Sequence, residues 1–100
     1  MKAIDIDPAD LDTVRTILGR HAPDLEVRAF GSRVSHTARD TSDLDLVLMT
    51  VEPLDLDRMA GLRAAFTASD LPFRVDLVDW ACTSGSFRRL IESDFIVICP

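Results

Sequence analysis

The sequence predicts an α/β (α+β) fold, one mixed β-sheet of about four strands covered by helices. Three observations predict it. Segments with helical spacing alternate with strand-like segments in the order α-β-β-α-β-α-β. Helix-start signals built on aspartate, proline and serine stand in front of the helical segments. The composition is 47% hydrophobic with only four glycines and five prolines, which suits a packed domain rather than a disordered chain.

The elements follow in order. Asp7-Pro8-Ala9-Asp10 is a helix start, with a capping aspartate, proline at the first helical position and acid in the first turn. Leu11, Val14, Ile17 and Leu18 continue at helical spacing, and Gly19 and Pro23 are expected to close the segment. A strand follows over 25–30, with Leu25, Val27 and Ala29 on one face, and Gly31-Ser32 ends it. Residues 33–42 are polar without periodicity and read as a loop with room for one helical turn. The clearest strand places Leu44, Leu46 and Leu48 on one face and Asp43, Asp45, Val47 and Met49 on the other. Glu52-Pro53 breaks it. Asp55 caps a second helix striped by Leu56, Met59, Leu62 and Phe66. A third strand is predicted over 73–78. Asp79 then caps or turns the chain, and Trp80 packs. Thr83 or Ser84 caps a third helix carrying Phe87, Leu90 and Ile91, and 95–99 is a last apolar strand.

One hundred residues suggest a single domain spanning 1–100. No apolar run approaches the roughly 20 residues that cross a bilayer. Asp5, Asp7, Asp10 and Asp12 interrupt the N-terminal segment, so no secretory signal is expected and the chain reads as cytoplasmic. Cys82 and Cys99 are too few for a disulfide framework and read as free thiols. A net charge of -6 repels nucleic acid at long range, and no basic stretch is interleaved with aromatics, so direct nucleic-acid binding is not expected.

Aspartate supplies 14 of the 17 acidic residues, and four Asp-x-Asp triplets occur: 5 and 7, 10 and 12, 43 and 45, 55 and 57. Three of these stand at or before helix starts, where aspartate caps and complements the dipole. The pair at 43 and 45 opens a β-strand, where aspartate is depleted. Side chains two apart project to one face, so these carboxylates repel unless a cation sits between them. Magnesium suits that arrangement, because it takes one or two carboxylates and completes its shell with water and substrate phosphate. Asp76 is placed in the same way on the third strand, facing out between Val75 and Leu77. If the two strands are neighbours, three carboxylates converge. Gly31-Ser32 adds a turn whose amides and hydroxyl can grip an anion. Glycine, serine, ten residues, aspartate, any residue, aspartate is a combination that chance supplies in roughly one chain in two hundred of this composition.

On these residues the chain resembles the nucleotidyltransferase superfamily that includes DNA polymerase β and kanamycin nucleotidyltransferase, and most of all its minimal (MNT) branch. The matching motifs are Gly31-Ser32-Arg33, Thr37-Ala38-Arg39 and Ser42-Asp43-Leu44-Asp45-Leu46, with Asp76 as the third acid. The likeness runs from about residue 10 to the end. It implies the nucleotidyltransferase fold and a transfer of AMP from ATP, with Asp43, Asp45 and Asp76 as catalytic residues holding two magnesium ions. It implies a nucleotide-binding set of Gly31, Ser32, Arg33, Arg39 and Ser42. For Arg33 and Arg39 a solvent-exposed counter-ion is the alternative. His36 stands where the family commonly has glycine, which implies a stiffer loop and weaker nucleotide binding; as a histidine it is a base by type, though a solvated loop residue is the plainer reading. Larger relatives add a domain for the acceptor, so a partner protein or a second copy of the chain is expected to supply that surface. Minimal members often pair with a HEPN-domain ribonuclease toxin, which they adenylylate as antitoxins. The rivals are an antitoxin that acts by contact alone and a transferase for a small molecule such as an aminoglycoside.

Overall fold

The computed structural model describes residues 3–100. Four strands form one sheet in the order β3-β2-β1-β4: β1 (Val27–Phe30), β2 (Leu44–Leu48), β3 (Val75–Asp79) and β4 (Ile96–Cys99). β1 runs antiparallel to both β2 and β4, while β2 and β3 are parallel. The parallel pair needs a crossover, and α3 (Leu56–Thr67) supplies it. Helix α1 (Pro8–His21) precedes β1, the single turn α2 (Ser32–Ser35) follows it, and a 3₁₀ turn (Trp80–Cys82) leads from β3 into α4 (Gly85–Ser93).

The helix starts form where the sequence puts their caps. Asp7, Asp55 and Ser84 each accept a first-turn amide, from Ala9, Asp57 and Phe87, and Pro8 opens α1. The expected stop of α1 at Gly19 is corrected, since the helix runs on to His21. Glycine inside a helix costs about 1 kcal/mol relative to alanine. Burial of Val14 and Leu18 and the Arg20 cation in the last turn offset that cost. Leu56 does not join the buried stripe of α3 and is 85% exposed, because it is the first residue after the cap; Met59, Leu62 and Phe66 carry the packing.

The sheet is packed unequally on its two faces. Val27, Ala29, Leu44, Leu46, Leu48, Leu77 and Ile98 bury one face against α1 and α3. On the other face Phe30, Val47 and Ile91 of α4 form a smaller cluster with Met49, Val78 and Trp80. The expected apolar stripe of α4 is thus only partly buried, with Leu90 64% exposed while Ile91 is closed off. Asp45 and Asp76 lie on this second face, two residues ahead of Val47 and Val78. The half of the face not covered by α4 carries the carboxylates.

Candidate active site

The site starts from a register. In the parallel pair Asp45 is the Cα partner of Asp76, so the two carboxylates stand side by side across neighbouring strands. The sequence left that neighbourhood open, and the sheet order closes it. Asp43 lies one residue ahead of β2, exposed like Asp76, while Asp45 is half-buried. Removal from water, then the negative charge of Asp76, then that of Asp43, push the Asp45 carboxyl up to about 6.

β1 brings the second element. Phe30 pairs with Asp45, so Gly31 comes next to that carboxylate. Gly31 has φ 81 and ψ -156, a region open essentially to glycine alone. A methyl group at Gly31 would also run into Oδ2 of Asp45. Two independent constraints therefore require glycine here. Its carbonyl accepts the amides of Val34 and Ser35, which starts α2. Ser32 is the first residue of that turn, and among the described residues its hydroxyl has no partner. The Val34 and Ser35 amides are spent on Gly31, so the Ser32 hydroxyl and the first amides of the turn, those of Ser32 and Arg33, are the donors left beside the acids.

The arginine motif needs a correction. Arg33 is 7% exposed. Its guanidinium donates to the carbonyl of Ser42 through Nε at 3.1 Å and through one terminal nitrogen at 2.9 Å, to that of Asp40 at 3.2 Å, and to that of Asp5 at 2.9 Å. It also lies 4.5 Å above the ring of Phe73. This is not an exposed counter-ion. The side chain is turned inward, and it fixes the turn that delivers Asp43. Ser42 works in the same turn, where its hydroxyl accepts the Arg39 amide at 2.8 Å. The Arg39 side chain remains exposed.

His36 has φ 61, a left-handed conformation that favours glycine, and it ends α2. Its Nε2 lies 2.7 Å from the carbonyl of Ala3. The chain holds this glycine-favoured bend with a β-carbon present.

Sequence reasoning missed a polar clasp at the far end of the same strands. Asp79 accepts the hydroxyl of buried Thr50, the Leu54 amide at 2.7 Å and the Ala81 amide at 3.2 Å. Burial raises its carboxyl, but these bonds outweigh that and hold it below the usual range. The sequence read Asp79 as a cap or a turn, and it caps the 3₁₀ turn; the reach to Thr50 and Leu54 has no local signal. Arg63 and Arg74, on α3 and just before β3, also went unremarked, and both line a cavity of about 710 Å³ with Asp43 and Asp76.

Magnesium fits the arrangement without a ready-made cage. Among the described residues no three histidine, cysteine, aspartate or glutamate side chains are gathered closely enough to hold an ion by themselves. Magnesium asks for less, because water and substrate phosphates fill most of its octahedron. Burial first, and then the neighbouring charges of Asp76 and Asp43, raise Asp45, and among the described residues no cation is paired with it.

Comparison with known proteins agrees with this geometry. The family model described as "Polymerase beta, Nucleotidyltransferase" matches residues 13–99. The probable protein adenylyltransferase MntA of Haemophilus influenzae is 50% identical over 95 residues, which is 95% of this chain and 83% of that protein. A toxin–antitoxin crystal structure with AMP-PNP superposes with a TM-score of 0.73 at 24% identity, covering 89% of this chain and 72% of the other. A tri-AMPylated Shewanella oneidensis HEPN toxin in complex with its MNT antitoxin gives 0.66 at 21% identity, covering 90% and 69%. At those identities the two structures speak for the fold.

Proposed function

This chain belongs to the polymerase β nucleotidyltransferase family, and we propose that within it the chain is a protein adenylyltransferase, moving AMP from ATP to a hydroxyl of a partner protein. The observation that carries the reading is the pairing of Asp45 with Asp76 across parallel strands, with Asp45 set against Gly31. Half-identity to a probable protein adenylyltransferase over nearly the whole chain supports the choice of AMP and of a protein acceptor. The likeness in fold to an antitoxin in complex with a tri-AMPylated HEPN toxin supports a HEPN-domain toxin as that acceptor, and antitoxin as the role. ATP as donor agrees with the AMP-PNP bound in a similar structure. Among the described residues no helix is long and apolar enough to cross a membrane. An ATP donor and two free cysteines suit the cytoplasm.

In this reading Gly31 and Ser32 hold the β- and γ-phosphates. Asp43 and Asp45 would hold two magnesium ions, with Asp76 as a further ligand on the acceptor side. Magnesium, when bound, offsets the charge developing on the entering and departing oxygens. Asp76 orients the acceptor hydroxyl and takes its proton. The acceptor oxygen forms its bond to the α-phosphorus as the bond from that phosphorus to pyrophosphate breaks, in line. Arg39, exposed beside the loop, reaches phosphate or base, whereas Arg33 positions Asp43 from within.

The test is to incubate the chain with a HEPN toxin, ATP and magnesium and to weigh the toxin. A gain of one or more AMP units, absent without ATP, is expected. Unchanged mass with the toxin still inhibited would leave an antitoxin that works by contact alone.

A further inference from the structure

We propose that the cavity beside Asp76 seats the acceptor, and that Arg63 and Arg74 on its walls select a hydroxyl flanked by acidic residues. The inference rests on the transferase reading and names the substrate class of that site.

The strand order sets the sides. Gly31 leaves β1 on one flank of β2, and Asp76 stands on β3 at the other flank. An in-line displacement brings the nucleophile from the side opposite the leaving group. With the triphosphate at Gly31 and Ser32, the acceptor oxygen must arrive from the β3 side. A cavity of about 710 Å³ lies there, within the range of ligand pockets, between α3 and the start of β3. Its wall includes the carboxylates of Asp43 and Asp76 and the apolar side chains of Leu71 and Phe73.

Charge then narrows the occupant. Elsewhere among the described residues Arg28 pairs with Glu26, Arg58 with Asp24, and Arg15, Arg33 and Arg88 are bonded to carbonyls, while Arg20, Arg39 and Arg89 do not line this cavity. The Arg63 and Arg74 side chains are exposed at the cavity, and among the described residues neither guanidinium has an ion pair or hydrogen bond. The cavity wall carries these two guanidiniums and the two carboxylates of Asp43 and Asp76, so once those carboxylates hold magnesium both cations are left for the occupant to match. Guanidinium matches carboxylate in a two-point fork. A neutral acceptor would leave both cations unused, and a basic one would be repelled by them. An acidic segment satisfies them while its hydroxyl reaches Asp76. The transfer is unchanged: the hydroxyl oxygen bonds the α-phosphorus, pyrophosphate leaves, and the proton goes to Asp76.

The probes are three synthetic peptides with a single tyrosine flanked by glutamates, alanines or lysines, with ATP, magnesium and labelled AMP incorporation as readout. The wild-type chain is expected to label the glutamate peptide about five- to tenfold faster than the alanine peptide, an advantage that shrinks with salt. The lysine peptide should be slowest. The paired variant R63E/R74E should reverse that order, with ATP affinity as the control for the donor side. If the variant does not fold, the wild-type order and its salt dependence still decide. Labelling that ignores peptide charge, or a wild type that binds ATP and labels none of the peptides, overturns the inference and leaves the transferase reading to the toxin assay. Failure to bind ATP with magnesium, and to label the toxin, overturns that reading itself.

Discussion

The two ends of one strand pair use the same side chain in opposite ways. At the start of β2 and β3, Asp45 faces Asp76 and its carboxyl is pushed up to about 6. At the end of β3, Asp79 is wrapped by the Thr50 hydroxyl and two backbone amides, and its carboxyl is held down. Both carboxylates are half-buried. What separates them is donors. Where the chain supplies donors, a buried carboxylate is a clasp that joins β3 to the segment after β2. Where it supplies another carboxylate, the charge awaits something from outside the chain. The comparison predicts that substitutions at the two ends will divide, one set striking transfer and the other stability.

The largest expected effect is at the unsatisfied end. Asp45→Asn keeps the shape and removes the charge, so transfer should fall about 10³-fold, the scale for losing a group that stabilises transition-state charge. The fold should survive intact, because repulsion rather than packing is lost. Single-turnover transfer beside a thermal melt checks both. A folded Asn variant with full activity would dissolve the contrast. Gly31→Ala comes next. Its methyl group would displace the Asp45 carboxylate, and its backbone would be strained by about 1 to 3 kcal/mol. Misplacing a reacting group by about 1 Å costs roughly 10²-fold, so transfer should drop by that order with a lowered melting temperature.

At the satisfied end the direction reverses. Asp79→Ala leaves Thr50 and the amides of Leu54 and Ala81 without their acceptor, so stability should fall by roughly 2 to 3 kcal/mol. Denaturant unfolding measures this. Activity per folded molecule should change little, and a selective loss of transfer would place Asp79 with the site rather than the scaffold.

How much of this was legible beforehand follows from the range of each interaction. Caps are local, and Asp7, Asp55 and Ser84 each bond an amide two or three residues on, so sequence reasoning found them. Strand alternation is local too, which put Asp45 and Asp76 on outward faces. Their pairing depends on sheet order, which no periodicity encodes, so it stayed conditional until β2 and β3 proved to be neighbours. The burial of Arg33 stayed hidden for the same reason. Beside Gly31-Ser32 an arginine reads as a phosphate ligand, and only the fold brings Asp5, Asp40 and Ser42 around it. Helix ends were misjudged at Gly19 because burial of Val14 and Leu18 outweighs one glycine.

A smaller effect tests the contrast through pH. The folded Asp45 carboxyl titrates at about 6 against an ordinary 3.8, so between those values the folded state binds more protons than the unfolded. The stability tied to Asp45 is therefore fully present below pH 3.8 and lost as pH rises through about 6. After allowance for solvent screening of a half-buried group, about 1 kcal/mol is expected. Without metal, Asp45→Asn should match the wild type near pH 4 and exceed it by that amount at pH 7.5. Asp79, held down, acts with the opposite sign and only as pH falls through the lower carboxylate range, so it cancels in the difference between the two proteins. Parallel stability curves would show that Asp45 carries no uncompensated charge.

The smallest effect concerns the loop between the two acidic elements. His36 holds a left-handed conformation at φ 61, which costs a residue with a β-carbon about 1 kcal/mol relative to glycine. Glycine removes that strain but frees the unfolded chain and gives up the imidazole contact to the Ala3 carbonyl. These terms nearly cancel, so His36→Gly should change stability by no more than about 0.5 kcal/mol in either direction. Since the bend is already formed with histidine present, the Gly31-Ser32 turn should be unaltered, and ATP affinity should move by less than about threefold. Calorimetric titration with ATP and magnesium measures it. A tenfold gain in affinity on introducing glycine would mean that histidine stiffens the phosphate-gripping turn after all, as the departure from the family motif first suggested.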